Sequence, residues 1–101
     1  MILSPEHCET MADLRGQIDR IDRALLDLMA ERARYIDRAV LLKPRENLPA
    51  RTTDRVAQVI ANVRKGAEER DLDPDQIERI WTDLIETAIA HEAKMLGEPQ
   101  R

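Results

Sequence analysis

The chain of 101 residues has no Phe, one Trp and one Tyr, so aromatics make up 2% of it. Aromatic and β-branched residues favour pleated sheets, and this poverty argues against a β-rich domain. Three glycines leave no material for a Gly-rich phosphate loop. The single cysteine, Cys8, cannot form an internal disulfide and reads as a small incidental residue. With no signal-peptide pattern at the N-terminus, this predicts a cytoplasmic protein. No apolar run approaches the ~20 residues of a membrane span, so no membrane partner is expected. His7 and His91 are the only histidines and belong to no metal-spaced cluster, which predicts no metal site. No Ser/His/Asp set has a helical rationale. A net charge of -4 excludes nucleic acid as the main partner.

What is present is charge on a helical period. Charged residues make up 36% of the chain. Residues 1–9 read as a leader with one helical turn at Ser4-Pro5. Thr10 caps a helix that keeps its 3.6-residue pattern from Met11 to about Leu42, with Asp13 at its positive end. Pro44 and Pro49 bracket a polar loop, 44–51. Thr52 or Thr53 caps a second helix to about Arg70, with Val56, Val59, Ile60 and Val63 inward. Asp73-Pro74-Asp75-Gln76 starts a third helix, as cap, first-turn proline and Gln at the third position. It carries Ile77, Ile80, Trp81, Leu84, Ile85, Ala88, Ile89 and Met95, with Ile77, Trp81, Leu84 or Ile85, and Ala88 on its inward face, and Gly97 and Pro99 end it. The expected organisation is an all-α domain over residues 10–97 with a tail at 98–101.

The first helix poses a packing problem. About 32 residues at ~1.5 Å each make a rod near 48 Å, whereas a compact domain of about 100 residues has a radius of gyration near 13 Å. The stripe Leu14–Ile18–Ile21–Leu25–Leu28 runs along most of that rod, and two further helices cannot cover it. A homodimer with the long helices side by side solves the problem.

Three charges sit where apolar residues are due. Arg32 follows Leu28 by four. Lys43 follows Arg32 by eleven, which returns to within about 20° of the same face. Either alone reads as a snorkelling stem or a favourable charge at a helix end; together they point to a small, multiply charged anion inside a helical bundle. Glu92 follows Ala88 by four on the inward face of the third helix. It reads either as an ion pair with Arg32 or Arg15, or as a hydrogen-bonding group in the same pocket. Arg15 lies about 100° from Arg32 around the helix, so it can serve only a partner's pocket. Arg55, near the positive end of the second helix, suits an anion.

These residues carry a resemblance. Leu14-Arg15, Ile18-Asp19-Arg20-Ile21-Asp22, Leu25-Leu26, Ala30-Glu31-Arg32, Lys43 and Asp54-Arg55 are similar to the all-helical chorismate mutases and the related isochorismate pyruvate lyases. The likeness covers about residues 4–95. The Ser4–Cys8 leader and the Ile18–Asp22 run look most like the lyase branch. The resemblance implies three helices in an intertwined homodimer with two shared sites and no cofactor. Arg15 would reach into the partner's site to bind one carboxylate of a dicarboxylate substrate, and Arg32 would grip the other as a fork. Lys43 would donate to the ether oxygen of the breaking C–O bond. Arg55 would help orient the substrate.

The implied reaction is the rearrangement of chorismate to prephenate, a step of aromatic amino-acid biosynthesis. It needs a held conformer and charge stabilisation rather than a nucleophile. The same parts would serve pyruvate elimination from isochorismate, which gives salicylate. A mutase of amino-substituted chorismate, or a helical dimer module that performs no chemistry, would also fit these residues. Two positions depart from the common pattern. Glu92 stands where many members have Gln, and a carboxyl can donate to the ether oxygen only when protonated. Val56 stands where many mutases place a Glu for the ring hydroxyl, a residue that the lyase branch also lacks. The Thr52 or Thr53 hydroxyl is the nearest replacement.

Overall fold

The computed structural model describes residues 2–99; the last two residues of the expected tail, 100 and 101, lie outside that range. Among the described residues every regular element is helical. A 3-10 turn, Pro5–His7, precedes α1 (Met11–Leu42). A second 3-10 turn, Pro44–Glu46, precedes α2 (Thr53–Glu69) and α3 (Pro74–Leu96). The chain divides into two compact units, Met1–Arg34 and Tyr35–Arg101.

In the first unit the start of α1 is set by capping. The Thr10 hydroxyl accepts from Asp13 N–H at 3.0 Å, and the Asp13 carboxylate accepts from Glu9 N–H at 3.2 Å. One of the donors that every helix start leaves unpaired is thus satisfied, and the residue before the cap is tied to the first turn. No residue of α1 is buried. Ile18, Ile21, Leu25 and Leu28 are 48%, 47%, 52% and 61% exposed. The periodicity that predicts the helix therefore also predicts an apolar stripe that this chain leaves bare.

In the second unit α2 packs on α3. Val56, Val59, Ile60 and Val63 are half-buried as the pattern requires, and Ala67 is buried. On α3 Ile77, Trp81, Leu84, Ala88 and Ile89 are half-buried and Ile85 is buried. Ile80 and Met95, the other large apolar residues of α3 in the pattern, are 45% and 59% exposed.

The helix ends explain the turns. α2 closes with Leu72 N–H to Ala67 O at 2.9 Å and Asp71 N–H to Glu68 O at 3.3 Å. This pattern places Asp71 in the left-handed region at φ 56°. α3 closes in the same way, with Glu98 N–H to Ala93 O at 2.8 Å and Gly97 N–H to Lys94 O at 3.2 Å, and with Gly97 at φ 74°. Asp73 caps α3, accepting from Asp75 N–H at 3.0 Å, with Pro74 in the first turn. Arg64 of α2 reaches across the turn to Asp75 at 3.0 Å and Glu78 at 3.1 Å.

Candidate active site

The site is built on α3 and on the segment that leaves α1. Glu92 is 3% exposed, the one buried charged residue among those described. A lone buried carboxylate is costly, and here a cation meets it. Glu92 Oε1 lies 2.9 Å from Lys43 Nζ. Oε1 makes no directed hydrogen bond, so the pair is a charge contact. Lys43 prolongs α1 by one residue: its backbone is helical, and its N–H reaches Ala39 O at 2.8 Å. Its ammonium also donates to the carbonyl of Ala50. Ala50 is itself buried, and its N–H donates to Glu98 Oε2 at 2.8 Å.

Loop 44–51 is thus held at both ends. Asn47, at φ 57°, reverses the chain, and Leu48 N–H returns to Lys43 O at 2.8 Å. At the far end Arg51 forks onto Glu86, with contacts of 3.0 and 2.6 Å. The hydrogen bonds of that fork hold the Glu86 carboxyl below its usual range and push the Arg51 guanidinium up. A cavity of about 260 Å³ lies beside this region, lined by Ala50, Arg51, Glu86, Ile89, Ala93 and Glu98 among others. His91 is exposed and pairs with Asp37 at 2.7 Å.

The remaining candidates fall as follows. Thr52 occupies the cap position of α2 but makes no capping bond with its side chain. Arg55 is exposed and bonds Gln58 at 2.7 Å. Val56 is half-buried. Arg15 is exposed and Arg32 half-buried, both in the first unit. Among these candidates the structure brings Lys43 and Glu92 together. The expected ion-pair partner of Glu92, Arg32 or Arg15, gives way to Lys43. Sequence reasoning missed Ala50 and Glu98. Ala50 acts through its peptide group, which no side-chain pattern reveals, and the only signal for Glu98 was the glycine before it, which turns the chain out of α3.

Residues 14–93 match the family described as chorismate mutase type II. The chain belongs to that family. The chorismate mutase match takes in the Arg15, Arg32, Lys43, Arg55 and Glu92 positions. Among its relatives, an isochorismate pyruvate lyase of Pseudomonas aeruginosa is 34% identical over 92 residues, which is 90% of this chain and 89% of that protein. A chorismate mutase of Methanocaldococcus jannaschii is 29% identical over 92 residues, 91% of this chain and 93% of that one. A T-protein of Enterobacter agglomerans is 42% identical over 67 residues, covering 66% of this chain but spanning only 18% of the T-protein's length. No helix among the described residues is long and apolar enough to cross a membrane.

Proposed function

We propose that the protein is a chorismate mutase, rearranging chorismate to prephenate in aromatic amino-acid biosynthesis. The observation that carries the reading is the Lys43 ammonium, held between a buried carboxylate and a buried carbonyl in a chain of this family. An ammonium has three donors; the Ala50 carbonyl takes one, and the Glu92 carboxylate lies in charge contact. A remaining donor is available to the ether oxygen, where negative charge grows as the C–O bond breaks and the new C–C bond forms. A donor fixed in advance, away from bulk water, is the device such a reaction needs. Arg32 binds one substrate carboxylate, and Arg55 orients the substrate from the start of α2. Thr52 and Val56 line the side of the pocket facing the ring hydroxyl. Glu92 completes the catalytic set from α3, with its carboxylate beside the Lys43 ammonium.

The exposed stripe of α1 supports a homodimer. Four large apolar side chains about half in water form the kind of surface that a partner removes. In this dimer Arg15 of the partner subunit completes each site, binding the second carboxylate. Residues 10–97 act as one domain, consistent with a family match running from 14 to 93.

A second reading has its own support. The lyase relative matches nearly end to end, and Val56 supplies no carboxylate for a ring hydroxyl. On that reading the substrate is isochorismate and the products are salicylate and pyruvate. Offering the purified protein each substrate separately tests both readings. Prephenate from chorismate supports the mutase. Salicylate and pyruvate from isochorismate, without prephenate from chorismate, replaces it with the lyase. Turnover of neither, with no binding of a bicyclic transition-state analogue, leaves a non-enzymatic dimer module.

A further inference from the structure

One buried residue has a charged partner on each of the two peptide groups that flank its Cα. The Ala50 N–H gives its hydrogen bond to Glu98 Oε2 at 2.8 Å, and the Ala50 carbonyl takes one from Lys43 Nζ. Ala50 is 2% exposed, so water cannot readily replace either partner. The sequence separation is large: Glu98 lies 48 residues beyond Ala50. Its placement is determined locally. Gly97 adopts φ 74°, and Glu98 N–H closes back on Ala93 O at 2.8 Å. That turn fixes the backbone from which the Glu98 carboxylate reaches Ala50.

We infer that Glu98 is a positioning residue for Lys43, acting through the backbone of Ala50; the inference rests on the reading of Lys43 as the donor to the substrate's ether oxygen. Lysine ends a flexible four-carbon stem, so its ammonium is aimed only by what it touches. Two contacts define where that ammonium sits: Glu92 on one side and the Ala50 carbonyl on the other. The carbonyl is only as fixed as the residue that carries it. The Ala50 N–H belongs to the preceding peptide, and a carboxylate accepting from it anchors Ala50 from the other side of its Cα, which limits how far the carbonyl can swing. Removing Glu98 leaves a buried N–H without a partner and frees Ala50 to shift toward other acceptors. Lys43 then keeps Glu92 but loses a defined aim. The Arg51–Glu86 fork next to Ala50 holds the loop but touches neither polar atom of the Ala50 peptide.

The test uses the full chain, with whichever of chorismate or isochorismate the wild type turns over. Glu98→Ala lowers kcat about 10-fold, the scale of one lost hydrogen bond, and changes KM less than about 2-fold, because the carboxylate-binding arginines are untouched. Glu98→Gln recovers most of the rate, since its amide oxygen still accepts from Ala50. Combined with Lys43→Ala, Glu98→Ala causes no further loss, because it acts through Lys43. In ¹H–¹⁵N spectra the Ala50 amide shifts in both Glu98 variants. An unchanged kcat in Glu98→Ala, an equal loss in the Gln variant, a full further loss on top of Lys43→Ala, or an unmoved Ala50 amide each overturns the proposal. Inactive Lys43→Ala beside fully active Glu98→Ala rejects the positioning role and keeps the site. Full turnover by Lys43→Ala rejects the reading of the site, and the inference with it.

Discussion

The two compact units treat misplaced charge in opposite ways. In Tyr35–Arg101, Glu92 sits on the inward face of α3, is buried, and has a cation from the same unit 2.9 Å away. In Met1–Arg34, Arg32 interrupts an apolar stripe whose other members are about half exposed. One unit satisfies its own anomaly. The other presents apolar surface and guanidinium groups together. In the proposed dimer a partner would cover the apolar surface and a substrate carboxylate would meet the guanidinium groups.

The largest effect that can break this contrast comes from the first unit. Arg32→Ala is expected to lower turnover by more than about 10³-fold, the scale for a fixed electrostatic donor, while thermal unfolding changes little. Retained activity would remove Arg32 from the site. Leu25→Asp belongs beside it: a charge on the bare stripe should convert a dimer to monomer at micromolar concentration, read by analytical ultracentrifugation. A dimer that survives the change would mean that the stripe is not the interface.

The second unit should respond in stability as well as in rate. Lys43→Ala leaves the Glu92 carboxylate buried without its cation, which costs about 3–5 kcal/mol when one member of a buried pair is removed. Denaturant titration reads this. Glu92→Gln should cost much less, because an amide needs no counter-charge.

Smaller effects compare the two helix ends. α2 and α3 close with the same hydrogen-bond pattern, but Asp71 stands in the left-handed position of one and Gly97 in that of the other. Asp71→Gly should stabilise by about 1 kcal/mol, and Gly97→Ala should destabilise by a similar amount. Equal effects of the same sign would refute the shared geometry. The smallest effect is that of the exposed Arg51–Glu86 fork. Its hydrogen bonds hold the Glu86 carboxyl below its usual range, so the fork contributes fully above the ordinary glutamate range. The contribution is lost as pH falls through the lowered value. A shallow acid-side loss of stability, absent in Glu86→Gln, is the expected result.

Much of the fold is legible in the sequence. The 3.6-residue period and the punctuation at Thr10, Pro44, Asp73-Pro74 and Gly97 locate all three helices, because these signals act within a few residues. The inward face read from Ile77, Trp81, Leu84 or Ile85, and Ala88 is the half-buried to buried face of α3, while Ile80 and Met95 stay exposed, since periodicity shows which face is apolar but not how wide a strip is covered. Thr52 stands at the expected cap position without the expected capping bond. The Lys43–Glu92 pair is legible as two misplaced charges and not as a contact. Rotation around one helix groups Arg32 with Lys43, yet the pairing of Lys43 with Glu92 arises between elements that sequence spacing cannot relate. The Ala50 peptide is invisible for the same reason.

Subunit mixing tests the central claim most directly. Arg15→Ala and Arg32→Ala chains, each inactive alone, are denatured together and refolded in equal amounts. If each site takes Arg32 from one chain and Arg15 from the other, half the dimers are mixed and one site in each is intact. Activity should then return to about a quarter of the wild-type rate. No recovery, with mixed dimers shown to have formed, would contradict a site shared between subunits.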